Sequence, residues 1–429
     1  MALTPVLLLL LAYCLSGVSS SAGPPPRSFT SLFALGDSYI DAGNFVTMAT
    51  PVAPVWVDKP PYGMTFFERP TGRFSDGRVI VDFVGKISSM HGRAEALCAP
   101  RLFNSFNLSI YISCGVYAFR SAAALGVPFL PASLANSSDD DVARRGGVNF
   151  AVGGATAVDV AFFERRRLVP FKLLNNSLDV QLGWFEELEP SLCNATAETA
   201  GSYGGGRCFS RSLFLVGEFG VNDYTFLWTA NKTESEVMAF VPRVVRTIAS
   251  AVERLIVRDG AAHVVVTGNP PIGCSPTLLT LLRRTSRPTS AADDDDYDHI
   301  GCLRGVNDVA RHHNALLGAA VVGLRARHPR ATIVFADFYT PIRRILENPN
   351  QFGVVVSDVL KACCGTGGAY NWNGSAVCGM PGVPACANPS AYVSWDGVHF
   401  TEAVNRYVAE GWLYGPYAHP PILKAMRRP

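Results

Sequence analysis

Five short apolar runs punctuate the chain: Leu32–Leu35, Val148–Val152, Leu213–Val216, His263–Thr267 and Thr332–Ala336. Each is rich in Val, Ile, Leu or Phe and ends in small or polar residues, as strands buried on both faces of a parallel sheet do. Helical patterns lie between several of them. Between Glu236 and Val257, residues Val237, Val241, Val244, Ile248, Val252 and Leu255 recur at spacings of three and four, and Asp259-Gly260 stops the pattern. Gly305 to Arg327 repeats it with Val306, Val309, Leu316, Leu317 and Leu324. Strands alternating with helices predict a doubly wound α/β sheet. Right-handed crossovers then bring all the strand C-termini to one edge. No internal repeat or compositional break demands a second domain, so residues 23–429 read as one domain with short polar tails. Asn136 to Arg145 and Arg283 to Asp298 read as surface loops. The four-aspartate run in the second lacks the ordered ligand spacing of a calcium loop.

Composition changes this picture at the N-terminus. The first 22 residues carry no charged side chain, Val6 to Ala12 is apolar, and Ser19-Ser20-Ser21-Ala22 offers small residues for cleavage. This reads as a secretory signal peptide over residues 1–22, although the usual basic start is missing. No later segment has the roughly 20 apolar residues that a membrane helix needs. Of the 11 cysteines, Cys14 falls within the leader and ten remain. An even set in a secreted chain predicts disulfides. Cys193 with Cys208 and Cys274 with Cys302 each bracket a loop and are the favoured local pairs. Zinc is the rival, but no CxxC pair has a matching second pair. Asn107, Asn136, Asn175, Asn194, Asn231 and Asn373 open N-x-S/T sequons, which beside a leader favour a glycoprotein. The extracellular space or cell wall is the expected destination, with the Golgi or vacuole as alternatives. A formal net charge of +2 with no basic stripe argues against nucleic acid as a partner.

Candidate chemistry gathers at strand ends. The first run leads into Gly36-Asp37-Ser38, which places a serine on the catalytic edge of such a sheet. A serine hydroxyl needs a base. Among eight histidines, His399 stands out because Asp396 lies three residues earlier, on the face that can hold its imidazole N–H. His312 and His313 are neighbours on a helix and point apart. An acyl-transfer enzyme also needs oxyanion donors. Asn149 to Gly154 could supply a backbone N–H, and Gly217 to Asp223 an asparagine amide. Each feature alone also fits ordinary capping or turn chemistry. Ser38 does not sit in a GxSxG elbow.

Phe33 to Asn44, Gly147 to Ala155, Gly220 to Asp223 and Asp396 to His399 together resemble the four blocks of plant GDSL-type esterases/lipases, members of the SGNH hydrolase superfamily. Pro60 to Phe83 and Ala362-Cys363-Cys364-Gly365 resemble that plant family as well, and the similarity runs from about Phe33 to Trp412. The resemblance implies a flavodoxin-like three-layer α/β/α sandwich with a central, mainly parallel five-stranded sheet, and no metal or organic cofactor. It implies Ser38, His399 and Asp396 as the triad. Ser38 N–H, Gly154 N–H and Asn222 are then the oxyanion donors. One departure matters: Tyr39 replaces the leucine of the family's name, where its size bears either on core packing or on the fit of the acyl chain; Val221 replaces a common glycine, but Asn222 is kept. The implied activity is hydrolysis of an ester, with acetyl or other small acyl groups on cell-wall polysaccharide or specialised metabolites favoured. A lipase on longer chains, an acyltransferase sharing the acyl-enzyme and a non-catalytic wall glycoprotein are the alternatives.

Overall fold

The structure is a computed structural model that describes residues 29–85, 129–135, 146–170, 172–200, 208–282, 296–354, 357 and 359–425. The expected leader, two of the cysteines (Cys98 and Cys114) and the sequons at Asn107 and Asn136 lie outside them. Strands β1 (Ser31–Leu35), β2 (Gly147–Asn149), β3 (Ser212–Val216), β4 (His263–Thr267) and β5 (Thr332–Ala336) are parallel, in the order β2-β1-β3-β4-β5. This is the doubly wound flavodoxin order, whose switch point lies between β1 and β3.

Two details differ from the sequence expectation. The sheet has six strands rather than five, because β6 (Ala418–His419) adds to β5 antiparallel. A two-residue strand between prolines carries no periodicity to read. The second apolar run is regular strand only to Asn149, whose side-chain oxygen takes the N–H of Ala151. Its continuation still bonds to the β1 segment, Phe150 N–H to Ala34 and Val152 N–H to Gly36.

The principal helices are α1 (Leu178–Ala200), α2 (Val221–Thr229), α3 (Glu234–Val257), α4 (Arg304–Arg327), α5 (Tyr339–Glu347) and α6 (Glu402–Tyr414). Helix α3 starts at a capping box, in which Thr233 and Glu236 satisfy each other's backbone N–H groups. Alternate strand residues feed two cores. Leu32, Ala34, Leu215 and Val265 pack with α5 and α6, whereas Phe33, Leu35, Phe214 and Val264 pack with α1, α3 and α4. Each buried apolar side chain contributes about 1.5–3 kcal/mol, and covering both faces explains why the strands read as unbroken apolar runs. Among the described residues, no helix is long and apolar enough to cross a membrane.

Four disulfides are formed among the described residues: Cys193–Cys208, Cys274–Cys302, Cys363–Cys386 and Cys364–Cys378. The first two are the pairs that the loop spacing favoured. The last two form a knot behind the loop that ends in Asp396, where Cys363 N–H donates to Ser394 O and Cys364 N–H to Trp395 O. Replacing Cys364 and Cys378 together by serine should lower the unfolding free energy by about 3 kcal/mol, the loop-closure value for a ring of roughly this size. Denaturant unfolding that shows a loss below about 0.5 kcal/mol would contradict this, since that is no more than an ordinary surface substitution costs.

Candidate active site

Beyond β1 the chain turns sharply at Gly36-Asp37-Ser38. The Gln181 side chain from α1 takes the Gly36 N–H at 2.9 Å and donates to its carbonyl at 2.8 Å. Asp37 accepts the Tyr39 N–H at 3.0 Å. Ser38 emerges with 7% exposure, its Oγ 2.7 Å from His399 Nε2. His399 Nδ1 in turn lies 2.7 Å from Asp396 Oδ2. With Nδ1–H donated to the carboxylate, Nε2 is left to accept the serine proton.

The Asp396–His399 turn is built locally. Asp396 Oδ1 accepts the N–H groups of Val398 and His399, at 3.0 and 2.9 Å. Gly397 between them has φ +103°, and a Cβ there would lie 2.2 Å from the Trp372 ring. Burial by itself would raise the Asp396 carboxyl, but the nearby His399 charge and the His399 and Val398 hydrogen bonds hold it below the ordinary value. The imidazole sits between the rings of Phe74, 4.6 Å away, and Tyr39, 5.6 Å away.

Sequence reading missed Tyr62. Its hydroxyl donates to Asp396 Oδ2 at 2.8 Å, the oxygen that also faces His399. Burial and the Asp396 charge push the Tyr62 phenol well above its usual range, so it stays a donor. The two residues are 334 positions apart, and only the fold brings them together.

The Gly153-Gly154 loop is clamped from both sides by buried carboxyl groups that sequence reading also left unassigned. Asp41 accepts N–H groups from Gly43, Asn44, Phe45 and Gly153. Asp223 on α2 accepts those of Ala157 and Val158. Gly154 itself has φ +80° and is exposed, and a Cβ there would meet no described atom within 4 Å, so its N–H is presented outward. Neither that N–H nor the N–H of Ser38 meets a protein acceptor among the described residues. The Asn222 amide is already engaged. Its amide nitrogen donates at 3.0 Å to Asp37 Oδ2 and at 3.0 Å to Ala155 O.

The Tyr39 ring packs into the core and lines a small cavity with Ile272, Val398 and Phe400. It is 3% exposed, packed against Phe338 and Phe400, with its hydroxyl 3.4 Å from Val398 O. His313 is buried on α4, paired with Tyr224 and pushed down to about 3 by burial and then by His312. Among the sequons, Asn175, Asn231 and Asn373 are exposed, and Asn194 lies on α1.

Residues 32–412, which span this whole arrangement, match the family described as GDSL-like Lipase/Acylhydrolase. A GDSL esterase/lipase of Arabidopsis thaliana is 38% identical over 397 residues, covering 92% of this chain and 85% of that protein. A second from the same plant is 36% identical over 399 residues, covering 92% and 93%. The sinapine esterase of Brassica napus is 35% identical over 404 residues, covering 94% and 90%.

Proposed function

The chain belongs to the GDSL-like lipase/acylhydrolase family and is thereby a carboxylic ester hydrolase, and from that premise we propose that it works through a Ser38–His399–Asp396 triad. The observation that carries the proposal is the unbroken relay of two 2.7 Å contacts from Ser38 Oγ through the imidazole to Asp396.

Ser38 Oγ attacks the ester carbonyl as its proton passes to His399 Nε2. The tetrahedral oxyanion takes hydrogen bonds from the N–H groups of Ser38 and Gly154 and from Asn222. His399 then returns the proton to the leaving alcohol, and the acyl group stays on Ser38. Water, deprotonated by the same imidazole, attacks the acyl-enzyme and releases the acid. Asp396 keeps the imidazole in the useful tautomer throughout. Asn222 shares one of its two amide hydrogens between its present acceptor and the oxyanion. Asn222→Ala should therefore lower kcat by about a hundred- to a thousandfold with KM little changed. Steady-state kinetics in which only KM moves would contradict the role.

The substrate we propose is an ester of acetyl or another small acyl group, on cell-wall polysaccharide or on a specialised metabolite. The metabolite branch draws support from the relative named sinapine esterase. The residue in the leucine position of the family name does not set acyl size, because the Tyr39 ring is core. p-Nitrophenyl esters from acetyl to palmitoyl should show the highest kcat/KM at acetyl, and Tyr39→Leu should keep that profile while losing about 1–3 kcal/mol of stability. Rates that climb with chain length would reject the small-acyl reading, and a profile changed by Tyr39→Leu would reject the packing argument. Four disulfides and the leader-like N-terminus support a secreted chain.

A further inference from the structure

The sheet register sets two carboxyl groups side by side behind the nucleophile. Leu35 of β1 pairs with Val216 of β3. Two residues further along each strand come Asp37 and Glu218, both essentially without exposure and close enough for each carboxyl group to shift the other's ionisation. Two buried carboxylates in contact repel and lack solvent, so one of them keeps a proton.

The surrounding donors identify which. Both oxygens of Asp37 already accept, Oδ1 from Tyr39 N–H and Oδ2 from the Asn222 amide. Glu218 Oε1 accepts the Val221 N–H at 3.0 Å and, with the Asn269 amide nitrogen turned towards it, a second hydrogen bond at 3.0 Å. Glu218 Oε2 is buried and receives no hydrogen bond from any donor among the described residues. An oxygen in that position is satisfied by carrying the proton itself and donating it to Asp37. Electrostatics agree in direction. Burial, then the Asp37 charge and the shared hydrogen bond, push Glu218 well above its usual range, with Asp223 adding to the effect. Burial also lifts Asp37, to about 6, against the opposing hydrogen bond from Glu218 and the charge of His399.

We propose that Glu218 is a positioning residue of this esterase: its carboxylic acid donates to Asp37, and through Asp37 it fixes the Asn222 amide and the turn that carries Ser38. The same side chain reaches α2 a second way. Gly220, the residue before that helix, has no side chain to cap it, and Glu218 Oε1 takes the free N–H of Val221, one residue before Asn222. Glu218 thus holds Asn222 from the backbone side and, by way of Asp37, from the amide side. It touches no substrate atom. The inference rests on the oxyanion assignment of Asn222.

The test compares Glu218→Gln and Glu218→Leu, each alone and with Asn222→Ala, in the full glycosylated chain. Glutamine keeps an acceptor for Val221 N–H and a neutral donor for Asp37. It should hold kcat within about threefold of wild type, whereas leucine, of similar bulk, should lose roughly ten- to a hundredfold in kcat with KM within about twofold. In the Asn222→Ala background the leucine substitution should cost less than about threefold, because the group it positions is gone. A glutamine variant as impaired as the leucine variant overturns the proposal. So does a leucine effect of full size without Asn222, which would mark general damage. If Glu218→Leu does not fold, Glu218→Gln decides alone: a kcat loss above about tenfold overturns the neutral-donor role, and retention supports it. Fluorophosphonate labelling of wild type separates the two levels. Wild type unlabelled at Ser38 defeats the triad reading, whereas wild type labelled, with Glu218→Leu as active as wild type, defeats only this inference.

Discussion

Ser38→Ala is expected to abolish ester turnover, by about a millionfold if this serine behaves as nucleophiles of other triads do, while the fold survives. The hydroxyl makes one described contact, the 2.7 Å bond to His399 Nε2, and 7% of the residue is exposed, so its removal leaves a small void at the edge of the site rather than a hole in either core. The backbone N–H proposed as an oxyanion donor stays in place, and the turn stays tied to Gln181 through Gly36. Residual catalysis of about a thousandfold over water can persist through those donors and substrate binding. Circular dichroism and thermal unfolding should match wild type. Activity above about a thousandth of wild type would contradict the nucleophile assignment, because no other described group in reach of His399 Nε2 would account for it.

Asp396→Asn should cost about ten-thousandfold in kcat, for a reason the hydrogen bonds make specific. Two backbone N–H groups, of Val398 and His399, point at Oδ1. In the variant the amide oxygen must face those two donors, so the amide NH2 faces His399 Nδ1. Nδ1 then accepts, the imidazole proton moves to Nε2, and an N–H points at Ser38 where a lone pair is required. Tyr62, held as a donor by burial and the Asp396 charge, loses its acceptor at the same oxygen. The expected signature is a collapsed kcat with near-normal KM and near-normal stability. A loss of less than about tenfold would show that Asp396 does not set the tautomer.

The sequence was most informative where the chemistry is local. The turn from Asp396 to His399 needs only four residues, and Ser38 follows an apolar run by three positions, so these three could be singled out as candidates without the fold. The five parallel strands and the helices from Glu234 and Arg304 were legible because sheet burial and helical amphipathicity leave periodic marks. The edge strand Ala418–His419 was too short to leave one. Tyr62, Asp41 and Asp223 were hidden for another reason. Their partners lie in other segments of the chain or are backbone N–H groups, which every residue but proline carries. The Asp37–Glu218 pair depends on β1 and β3 being neighbours in one particular register, a fact of topology that no residue type announces. Tyr39 shows the converse. Its position beside Ser38 left an acyl wall and core packing both open, and only the fold shows the ring packed against Phe338 and Phe400.

The central claim is that His399 and Asp396 activate Ser38. The measurement that tests it most directly is covalent capture: incubation with a fluorophosphonate, which forms an Oγ–phosphorus bond and expels fluoride only at an activated serine, followed by peptide mass mapping and residual esterase assay. The account predicts one adduct, on Ser38, with activity lost in proportion to labelling, and no adduct in His399→Ala. Full loss of activity with the adduct on another residue, or unimpaired activity with Ser38 fully modified, would contradict it.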